Sequence, residues 1–397
     1  MKVVYIVTAY WRKEEDVITP WLVKLIDKLK ERGIDIKIFT SSYRGLKSGK
    51  IKDVFVYRFR YFFKKYERLT HECAVPERLK ENKFYYLVLP FYLFFGIVES
   101  LRFAKKYAFD IIHVHWPFPL GIFGYLMKLQ KKKKMIFSFH SAEIVFAEKN
   151  FIFKHILKFL VKKADFITVN SSYTKEKLFR LVGELRNIEI VPFASSLPEP
   201  KESLPFDKRK EILFVGRLVE RKGGEYLLRA AKILKDRGKN YKIKIVGKGP
   251  LFEDLKSLKE KLDLDNVEFC GFVSESELVE RYRNARIFVL PAIHDKRGDT
   301  EGLGVVLLEA ISYGVPVIAS AVGGIVDIVK NGETGILVPE KDEKALADAI
   351  EKLFEDKEIS QKLVDNAKKY VKEKFSIEGI TKNLIKIYER MMKNGIC

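Results

Sequence analysis

The stretch "LFVGRLVERKGGEYLLRAAKIL", residues 213–234, changes its pattern twice within a few residues. It begins with an apolar run that ends at Gly216, which predicts a buried strand. After a polar loop, Gly223 and Gly224 precede apolar residues at helical spacing. A buried strand followed by a short loop and an amphipathic helix is the unit from which parallel sheets are built.

The same alternation continues along the chain in both directions, without a repeat of fixed period. Since the short runs are apolar on both faces, they predict parallel strands that are covered by helices. The predicted strands are "KVVYIVT", "DIKIFT", "DIIHVHW", "KMIFSFH", "FITVN" and "IEIVPF" in the first half, and "EILFVG", "YKIKIVG", "VEFCGF", "ARIFVLP", "VPVIAS" and "GILVP" in the second.

The chain is long enough for two such sheets. Its 397 residues, 47% of them hydrophobic, exceed the usual size of a single core. Residues 191–206, "VPFASSLPEPKESLPF", contain four prolines and are typical of a linker. We therefore predict an α/β protein with two doubly wound Rossmann-like domains, residues 1–195 and 207–374, that face each other across a ligand-binding cleft. A last helix, about 377–397, is expected to pack back on the first domain.

The charge is basic and unevenly distributed. The net charge is +21; residues 1–200 contain 37 Lys and Arg against 20 Asp and Glu (+17), and residues 201–397 contain 37 against 33 (+4). A basic first half favours an anionic partner, either a membrane surface or a nucleic acid, and a solvated basic shell explains it equally well. Because the sequence has no helix-turn-helix or RNA-binding motif, nucleic-acid binding is only a minor alternative and we expect none.

Cysteines and apolar segments indicate the compartment. Cys73, Cys270 and Cys397 are far apart and form no CxxC, which fits a reducing cytoplasm, and the first residues are typical of a strand rather than a signal peptide. The longest apolar run is "FYYLVLPFYLFFGIV", residues 84–98. As a helix it would reach roughly 22 Å, less than the hydrocarbon thickness of about 30 Å. It predicts a buried helix, with an interfacial helix as the alternative.

The loop after the first quoted strand has the composition of an anion site. Arg217 and Lys222 are cations beside a helix start, where free backbone amides also attract negative charge. A diphosphate fits this pattern, and an ordinary solvated basic loop is the alternative. The strand in "IKIVGKGPL", residues 243–251, also ends in Gly-x-Gly, at Gly247, a feature that many strand ends share.

The segment "DTEGLGVVLLEAISYG" places two acids in a Gly-rich and then apolar context. Gly302 and Gly304 would let the backbone approach a ligand closely, and a helix that begins near Gly304 would aim its free amides at the same end of the sheet as the cations. Glu301 precedes this helix and Glu309 lies within it, where a carboxylate costs free energy unless it is paired. Carboxylates bind vicinal hydroxyls, which ribose and hexose both offer.

At this point the second half resembles a known family. The pieces "VGRLVERKGGEYLL", "IVGKGP", "VEFCGFVSESEL", "ARIFVLPAIHDKRGDTEGLGVVLLEAISYGVPVIAS" and "GGIVDIVKNGETGILVP" follow one another over about 212–340. In this order they resemble the donor domain of the retaining, GT-B-fold glycosyltransferases of glycosyltransferase family 4. "FDIIHVHWPFPLG" and "FSFHSAE" extend a weaker likeness into the first half. The resemblance implies a GT-B fold for the whole chain.

The resemblance also implies roles for single residues. Arg217 and Lys222 would neutralise the donor diphosphate, which is the leaving group. Glu301, the first acid of an E-x7-E motif, would hold hydroxyls of the donor sugar, and Glu309, the second, would hold the ribose. His140 matches the family's first-domain histidine near the anomeric centre. The other expected donor-binding positions are Gly302, Leu303, Gly304, Gly216 and Gly247.

Several nearby residues have competing explanations. His113 and His115 alternate along a strand end, so at most one is expected to face the cleft, and they are not expected to hold a metal. Glu143 either supports the site or caps a helix. "DLD", residues 263–265, matches a metal-binding D-x-D but lies between a helix and a strand, so it predicts a turn.

Two segments of the first half bear on the acceptor. The family commonly has a Gly-rich loop after the first strand, whereas "AYWRKEEDVITP", residues 9–20, has no glycine, so acceptor handling is expected to differ. In "VYRFRYFFKKYERL", residues 56–69, aromatic residues alternate with basic ones. Such a pattern suits an anionic lipid surface, and core-facing aromatics with a solvated basic side are the alternative.

The resemblance, together with the residues above, implies a cytoplasmic, metal-independent retaining glycosyltransferase, and peripheral attachment to the inner membrane surface is left open. It would move a hexose from a nucleotide diphosphate sugar, UDP- or GDP-linked, to a saccharide or lipid-linked acceptor by same-face attack, without a resident cofactor. The same resemblance implies that Glu301 and Glu309 bind hydroxyls and do not form the nucleophilic pair of a retaining glycosidase. The alternatives are a nucleotide-sugar epimerase on the same fold and a non-catalytic sugar-nucleotide sensor. The base, the sugar and the acceptor are not determined by the sequence.

Overall fold

A computed structural model describes residues 1–393 except Glu15, Val17, Ala74 and residues 201–203. The chain divides into two compact units. The first contains Met1–Asn170, Thr174–Val191 and the chain from Thr381, and the second contains Ser171–Tyr173 and Pro192–Ile380. Cys397, the predicted helix beyond residue 393 and part of the predicted linker lie outside the described residues.

Within its described ranges the first unit contains an eight-stranded sheet in the order β3-β4-β2-β1-β5-β6-β7-β8. Its strands are β1 (Lys2–Ile6), β2 (Asp35–Ser41), β3 (Gly49–Ile51), β4 (Val54–Phe59), β5 (Ile111–His115), β6 (Lys134–Phe139), β7 (Phe166–Val169) and β8 (Ile188–Ile190). Its helices are α1 (Pro20–Glu31), α2 (Val75–Glu81), α3 (Tyr85–Lys106), α4 (Pro117–Lys131), α5 (Ala142–Glu148), α6 (Phe151–Lys163) and α7 (Ser172–Val182). The neighbouring strands pair in parallel, except that β3 is antiparallel to β4.

The predicted strands of the first half are all present, and the hairpin of β3 and β4 was not predicted. Most of β4 falls in the segment that we had singled out for alternating aromatic and basic residues. Phe59 and Tyr61 are buried there, and the Tyr57 ring stacks on Phe39 at 5.7 Å. The alternative explanation is therefore correct for these aromatics, which belong to the core, although Arg58 is buried as well and is not solvated.

Helix α3 corrects the expectation of a buried helix, because one of its sides is exposed. It has 22 residues, which corresponds to about 33 Å, and among the described residues it is long and apolar enough to cross a membrane, with a mean hydropathy of 1.6. One side packs on the core through Val88, Tyr92 and Phe103. A Cβ atom at Gly96 would lie 2.2 Å from the Phe123 ring, so the glycine allows α4 to approach closely. Only about a third of its most apolar 18-residue stretch is buried, because the side opposite the core is exposed.

The second unit contains a parallel sheet of six strands among its described residues, in the order β11-β10-β9-β12-β13-β14. The strands are β9 (Glu211–Val215), β10 (Lys242–Val246), β11 (Val267–Gly271), β12 (Ala285–Leu290), β13 (Val317–Ser320) and β14 (Ile336–Val338). The helices are α8 (Gly224–Asp236), α9 (Phe252–Lys261), α10 (Glu275–Asn284), α11 (Val305–Ser312), α12 (Ile325–Ile328), α13 (Glu343–Glu355) and α14 (Lys357–Lys374). All six predicted strands of this half are present, and helices cover both faces of the sheet, as its apolar strands require.

The last helix, α15 (Ile377–Lys393), contributes its later turns to the first unit. The buried hydroxyl of Tyr388 lies 2.7 Å from the hydroxyl of Tyr5 on β1 and 2.6 Å from Nδ1 of His113 on β5. Since a buried polar group needs a hydrogen-bond partner, these contacts fix the helix against the sheet.

Candidate functional site

The centre of the candidate site is an ion pair in the second unit. The Nζ atom of Lys222 lies 2.5 Å from Oε2 of Glu301, and both side chains are largely buried. Lys222 ends a short 3-10 turn between β9 and α8, and Glu301 lies in the loop between β12 and α11. Because β9 and β12 are parallel neighbours, their carboxyl ends bring these two distant residues together.

Arg221 is a second cation at this site, one that no sequence pattern distinguishes from its neighbours. Its Nη1 donates to the same carboxylate oxygen of Glu301 at 3.1 Å, and its Nε lies 3.8 Å from Asp299. The Glu301 carboxylate is thus held by two charge-assisted contacts, which are stronger than neutral hydrogen bonds.

The charge of Glu301 depends on these cations. Burial alone would raise the pKa of its carboxyl, but the charges and hydrogen bonds of Lys222 and Arg221 outweigh it and lower the pKa to about 2. Glu301 is therefore an ionised acceptor that is already paired, which makes it a weak base and a weak nucleophile at neutral pH.

Glu309 lies in a different environment, on α11. Burial raises the pKa of its carboxyl to about 7, and hydrogen bonds from Tyr282 and Ser196 and the charge of Lys222 act in the opposite direction. The Tyr282 hydroxyl donates at 2.9 Å, and the Ser196 hydroxyl lies at 3.4 Å. The predicted pairing of this buried acid is thus found, with partners that the sequence had not indicated.

The predicted glycines bring the strand ends close together. Lys222 Nζ would lie 3.8 Å from a Cβ atom on Gly216, and a Cβ on Gly247 would lie 2.0 Å from the Gly216 carbonyl oxygen. At Gly223, where φ is 67°, a Cβ would lie 1.7 Å from the Pro291 carbonyl oxygen. Only glycine fits such a close approach, and it sets the backbone that directly follows Lys222.

A second pair of glycines, which the sequence did not indicate, packs against the backbone of Glu301. Gly323 and Gly324 follow β13, and the Gly324 amide donates to the Glu301 carbonyl at 2.9 Å. A Cβ on Gly323 would lie 2.1 Å from that same carbonyl oxygen, and one on Gly324 would lie 2.1 Å from the Gly302 carbonyl oxygen. The two glycines and α11 therefore restrict where the backbone of the Glu301 loop can lie.

The other predicted donor-side residues lie around this loop. Gly304 caps α11 with φ of 92°, so the free amides of the helix begin directly after it, and Leu303 is buried. Arg217 follows Gly216 and is exposed at the carboxyl end of β9. In "DLD", Asp263 and Asp265 are held by Lys235 at 2.9 Å and 3.7 Å on a surface turn, as the turn prediction implies.

His140 belongs to the first unit and directly follows β6. Its Nε2 lies 3.0 Å from Nδ1 of His115, and the two rings stack at 5.2 Å. The rings of Trp21 and Trp116 lie 5.5 Å and 4.7 Å from the His140 ring. Burial lowers the pKa of His140 well below its ordinary value, and the neighbouring His115 acts in the same direction. His140 is therefore a neutral imidazole in an aromatic setting.

The expected alternation of His113 and His115 between the two faces of β5 is not found. Residues i and i+2 of a strand lie on the same face, and the two rings stack on one another at 4.4 Å. His113 is used internally, since its Nδ1 contacts Tyr388 and its Nε2 lies 2.6 Å from the Ser138 hydroxyl. Among the described residues no three His, Cys, Asp or Glu side chains form a group that could hold a metal.

Glu143 contacts the backbone of His140. It lies in the first turn of α5, and its carboxylate accepts a hydrogen bond of 2.7 Å from the backbone amide of His140. A carboxylate in a first helical turn is favourable, and here it also fixes the backbone that carries His140. In the glycine-free loop after β1, Arg12 donates twice to Asp16, at 2.7 Å each, so a side-chain ion pair occupies this loop.

Comparison with known proteins gives matches over both halves. The family Glycosyl transferases group 1 matches residues 197–370, and the family Glycosyltransferase Family 4 matches residues 21–193. The uncharacterized glycosyltransferase MJ1178 of Methanocaldococcus jannaschii is 26% identical, over 92% of this chain and 93% of its own length.

Two further relatives differ in coverage. MJ1607 of the same organism is 37% identical over 47% of this chain, and the match spans about half of that relative, 46% of its length. The GDP-mannose-dependent alpha-(1-6)-phosphatidylinositol monomannoside mannosyltransferase of Mycobacterium tuberculosis is 29% identical, over 66% of this chain and 72% of its own length.

Solved structures share the fold. Sucrose-phosphate synthase from Thermosynechococcus elongatus superimposes with a TM-score of 0.78 at 22% identity, over 99% of this chain and all of that chain. HepE from Anabaena, in complex with UDP-glucose, gives a TM-score of 0.70 at 15% identity, over 98% of this chain and all of that chain. Two Rossmann-like units with parallel sheets are the architecture of the GT-B glycosyltransferases. Since family matches account for almost the whole of both units, the chain belongs to glycosyltransferase family 4.

Proposed function

We propose that this protein is a retaining, metal-independent hexosyltransferase that uses a nucleotide diphosphate sugar. The observation that carries the proposal is the cluster of Lys222, Arg221 and Glu301 at the carboxyl ends of β9 and β12. The cluster joins cations suited to a diphosphate with a carboxylate suited to sugar hydroxyls. The relatives described above are transferases or a synthase, so the epimerase alternative is not favoured.

In this proposal the donor lies along the loop from Glu301 to Glu309. The diphosphate meets Lys222, Arg217 and the free amides that begin after Gly304, which together stabilise the charge of the leaving group. Glu301 accepts from hydroxyls of the hexose. Glu309 accepts from the ribose, eight residues further along the chain.

The reaction is a transfer with one bond broken and one bond formed at the anomeric carbon. The bond to the diphosphate oxygen breaks, the acceptor oxygen forms its bond on the same face, and the acceptor proton passes to the departing diphosphate. The pairing of Glu301 with two cations supports this route over a double displacement, because a carboxylate with a pKa near 2 is a weak nucleophile. The family resemblance is the basis for proposing His140 as the residue near the anomeric centre; its imidazole is neutral, and Glu143 holds its backbone amide.

The cations also support metal independence, since they supply the positive charge that a divalent ion supplies elsewhere. We propose only the chemical class of each substrate. The donor is a UDP- or GDP-linked hexose, and the acceptor is a saccharide or is lipid-linked. We place the reaction in the cytoplasm, at the inner membrane surface.

A donor panel followed by product analysis tests the proposal. Calorimetric titration with UDP-, GDP- and ADP-sugars identifies the donor, and acceptor-dependent release of nucleoside diphosphate establishes transfer. The anomeric proton coupling of the product, measured by NMR, should show retention. Lys222→Ala and Glu309→Ala should reduce turnover by about a hundredfold or more while the fold persists, whereas EDTA should have no effect.

Three results would refute parts of this assignment. Full activity of both variants would remove the donor site from these residues. Strict dependence on added Mn²⁺ would overturn metal independence. Conversion of the nucleotide sugar to its epimer without any acceptor would favour the epimerase alternative.

A further inference from the structure

The outer face of three helices in the first unit is apolar and exposed. Helices α3, α4 and α6 lie side by side over the first sheet, since α3 packs on α4 through Gly96 and Phe123, and α4 meets α6 through Tyr125 and Phe159 at 5.5 Å. All residues of these helices are described. The face that they turn away from the sheet is hereafter called the outer helix face.

On α3 the exposed residues form a stripe. Leu87, Phe91, Phe94 and Phe95 follow one another at helical spacing, with Tyr86 beside them, and are 37% to 60% exposed. On the other side, Val88, Tyr92 and Phe103 are buried in the core. The helix therefore has one exposed apolar face, and its opposite face is packed in the core.

Exposed apolar residues are also present on α4, the neighbour of α3, and on α6, the neighbour of α4. Leu129 on α4 is 57% exposed, and Phe151 and Ile152 at the start of α6 are 76% and 65% exposed. Phe63, in the loop before α2, is 73% exposed and connects to the stripe through Phe62, whose ring lies 5.2 Å from both Phe63 and Phe91. Exposed aromatic and aliphatic residues clustered on one face of a helix in this way mark an interaction site.

The charge of the same helices identifies the partner. Helices α3, α4 and α6 together contain nine Lys or Arg residues and one acid, Glu99. Glu99 is occupied by Tyr57 and Arg102. By contrast, α13 in the second unit carries four acids and two lysines. Aromatic and aliphatic residues among cations, with almost no acids, complement the interface of a bilayer that contains anionic lipids.

The outer helix face lies near the strand ends that carry His140. In a parallel βα arrangement the helices begin at the carboxyl ends of the strands. Helices α3 and α6 lead into the amino ends of β5 and β7, so their first turns, with Tyr86, Leu87, Phe151 and Ile152, are expected towards the carboxyl ends of the strands, where His140 follows β6. A bilayer on the outer helix face would therefore lie next to that edge.

We propose that the outer helix face docks on an anionic lipid bilayer, with α3 lying in the interface rather than crossing it. The buried side of α3 is part of the core of the first unit, so the helix keeps its packing while its outer side enters the interfacial region. Docking brings a lipid-linked acceptor to the carboxyl edge of the first sheet; only this last consequence rests on the proposed transfer reaction.

Vesicle flotation tests the docking without donor or acceptor. The full chain should float with phosphatidylglycerol vesicles at low salt, much less with phosphatidylcholine vesicles, and less as salt rises, because screening weakens the electrostatic part. The double variant Phe94→Ser with Phe95→Ser should weaken partitioning by about tenfold or more, since it removes two rings from the interface. Its matched control is Phe272→Ser, which changes a phenylalanine that is 67% exposed in the second unit.

A charge variant tests the other half of the proposal. Lys64→Gln with Lys65→Gln removes two exposed cations beside Phe63 and should weaken binding to phosphatidylglycerol about tenfold. The control, Lys362→Gln with Lys369→Gln on α14, should bind as the parent does. Circular dichroism and the thermal midpoint check that each variant is folded.

Two outcomes overturn the proposal. One is no flotation of the parent with anionic vesicles, or flotation that neither double variant changes. The other is a concentration-dependent dimer in sedimentation that the Phe94, Phe95 variant abolishes while vesicles bind none of the proteins, since the face would then serve a second copy of the chain. Acceptor-dependent transfer in solution can persist in either case, so failure here is distinguishable from failure of the proposed reaction.

Discussion

The ammonium of Lys222 and the carboxylate of Glu301 are 2.5 Å apart, although 79 positions (301 − 222) separate them in the sequence. Glu301 also receives a hydrogen bond from Arg221 and is held from behind by Gly323 and Gly324. A carboxylate with so many fixed contacts has a set position and a set charge. Such a carboxylate can accept hydrogen bonds from a ligand without reorganising.

The variant Lys222→Met should reduce stability in a pH-dependent way. The native pKa of Glu301 is about 2, below its ordinary value of 4.5, so its ionised form stabilises the fold above pH 4.5, and this is lost as the pH falls towards 2. The full effect is of the order of 3 kcal/mol, and Arg221 should keep part of it in the variant. In urea unfolding, the difference between parent and variant should be largest at pH 7 and shrink below pH 4.5.

The matched control for this prediction is Lys232→Met. Lys232 pairs with Asp236 at 2.6 Å, but both side chains are well exposed, and such pairs contribute at most about 1 kcal/mol. If Lys222→Met costs no more than this control, or if its cost does not change with pH, the buried pair does not stabilise the second unit.

Glu309 should give the opposite pH trend. Its native pKa of about 7 lies above the ordinary 4.5, so the stabilisation is present below pH 4.5 and is lost as the pH rises through 7. Glu309→Gln should abolish this loss, and relative to the parent it should gain about 3 kcal/mol between pH 4.5 and pH 8.5. Glu358→Gln, which changes an exposed acid in the first turn of α14, is the control. Parallel stability curves for parent and Glu309→Gln would contradict the prediction.

Much of the fold follows from local pattern. Every predicted strand in both halves is present, because apolar runs bounded by glycine or polar residues can be satisfied in few ways other than a covered parallel sheet. The order of the strands and the β3–β4 hairpin could not be read in the same way. Phe59 and Tyr61 lie among cations in the sequence, and only the sheet shows that they belong to the core.

The residues of the candidate site could be predicted only when they lie close to one another in the sequence. Glycines around Glu301 and before α8 are local signals. Tyr282 and Ser196 reach Glu309 from other segments of the second unit, and no pattern links them to it. Arg221 stands in a run of charged residues, and the sequence does not tell which of them turns towards a carboxylate. In the same way, hydropathy marks α3 as apolar without showing that only one of its sides is covered.

The variant Gly323→Ala should displace Glu301. Its Cβ would lie 2.1 Å from the Glu301 carbonyl oxygen, and the residue has φ of 57°, where an alanine is strained. Gly332 has φ of 75° with nothing within 4 Å, so Gly332→Ala isolates the backbone strain from the clash. We expect a loss of about 1 kcal/mol for Gly332→Ala and about 3 kcal/mol or more for Gly323→Ala, with weaker donor binding for the latter alone. Equal losses of stability, with donor binding intact, would rule out the tight fit behind Glu301.

The buried histidines should make the first unit sensitive to acid. Burial holds the pKa of His113, His115 and His140 far below 6.5, so they are neutral in the native state and their stabilising effect is present above pH 6.5. Below that pH the unfolded chain takes up the protons first, and stability should fall by about 1.4 kcal/mol per pH unit for each histidine. His113→Gln should lower this slope by one proton, whereas exposed His155→Gln is the control. Proton uptake on unfolding, measured by calorimetry in buffers of different ionisation enthalpy, gives the slope directly. A native NMR titration of any of the three rings between pH 5.5 and 7.5 would show that the ring is not held neutral by burial.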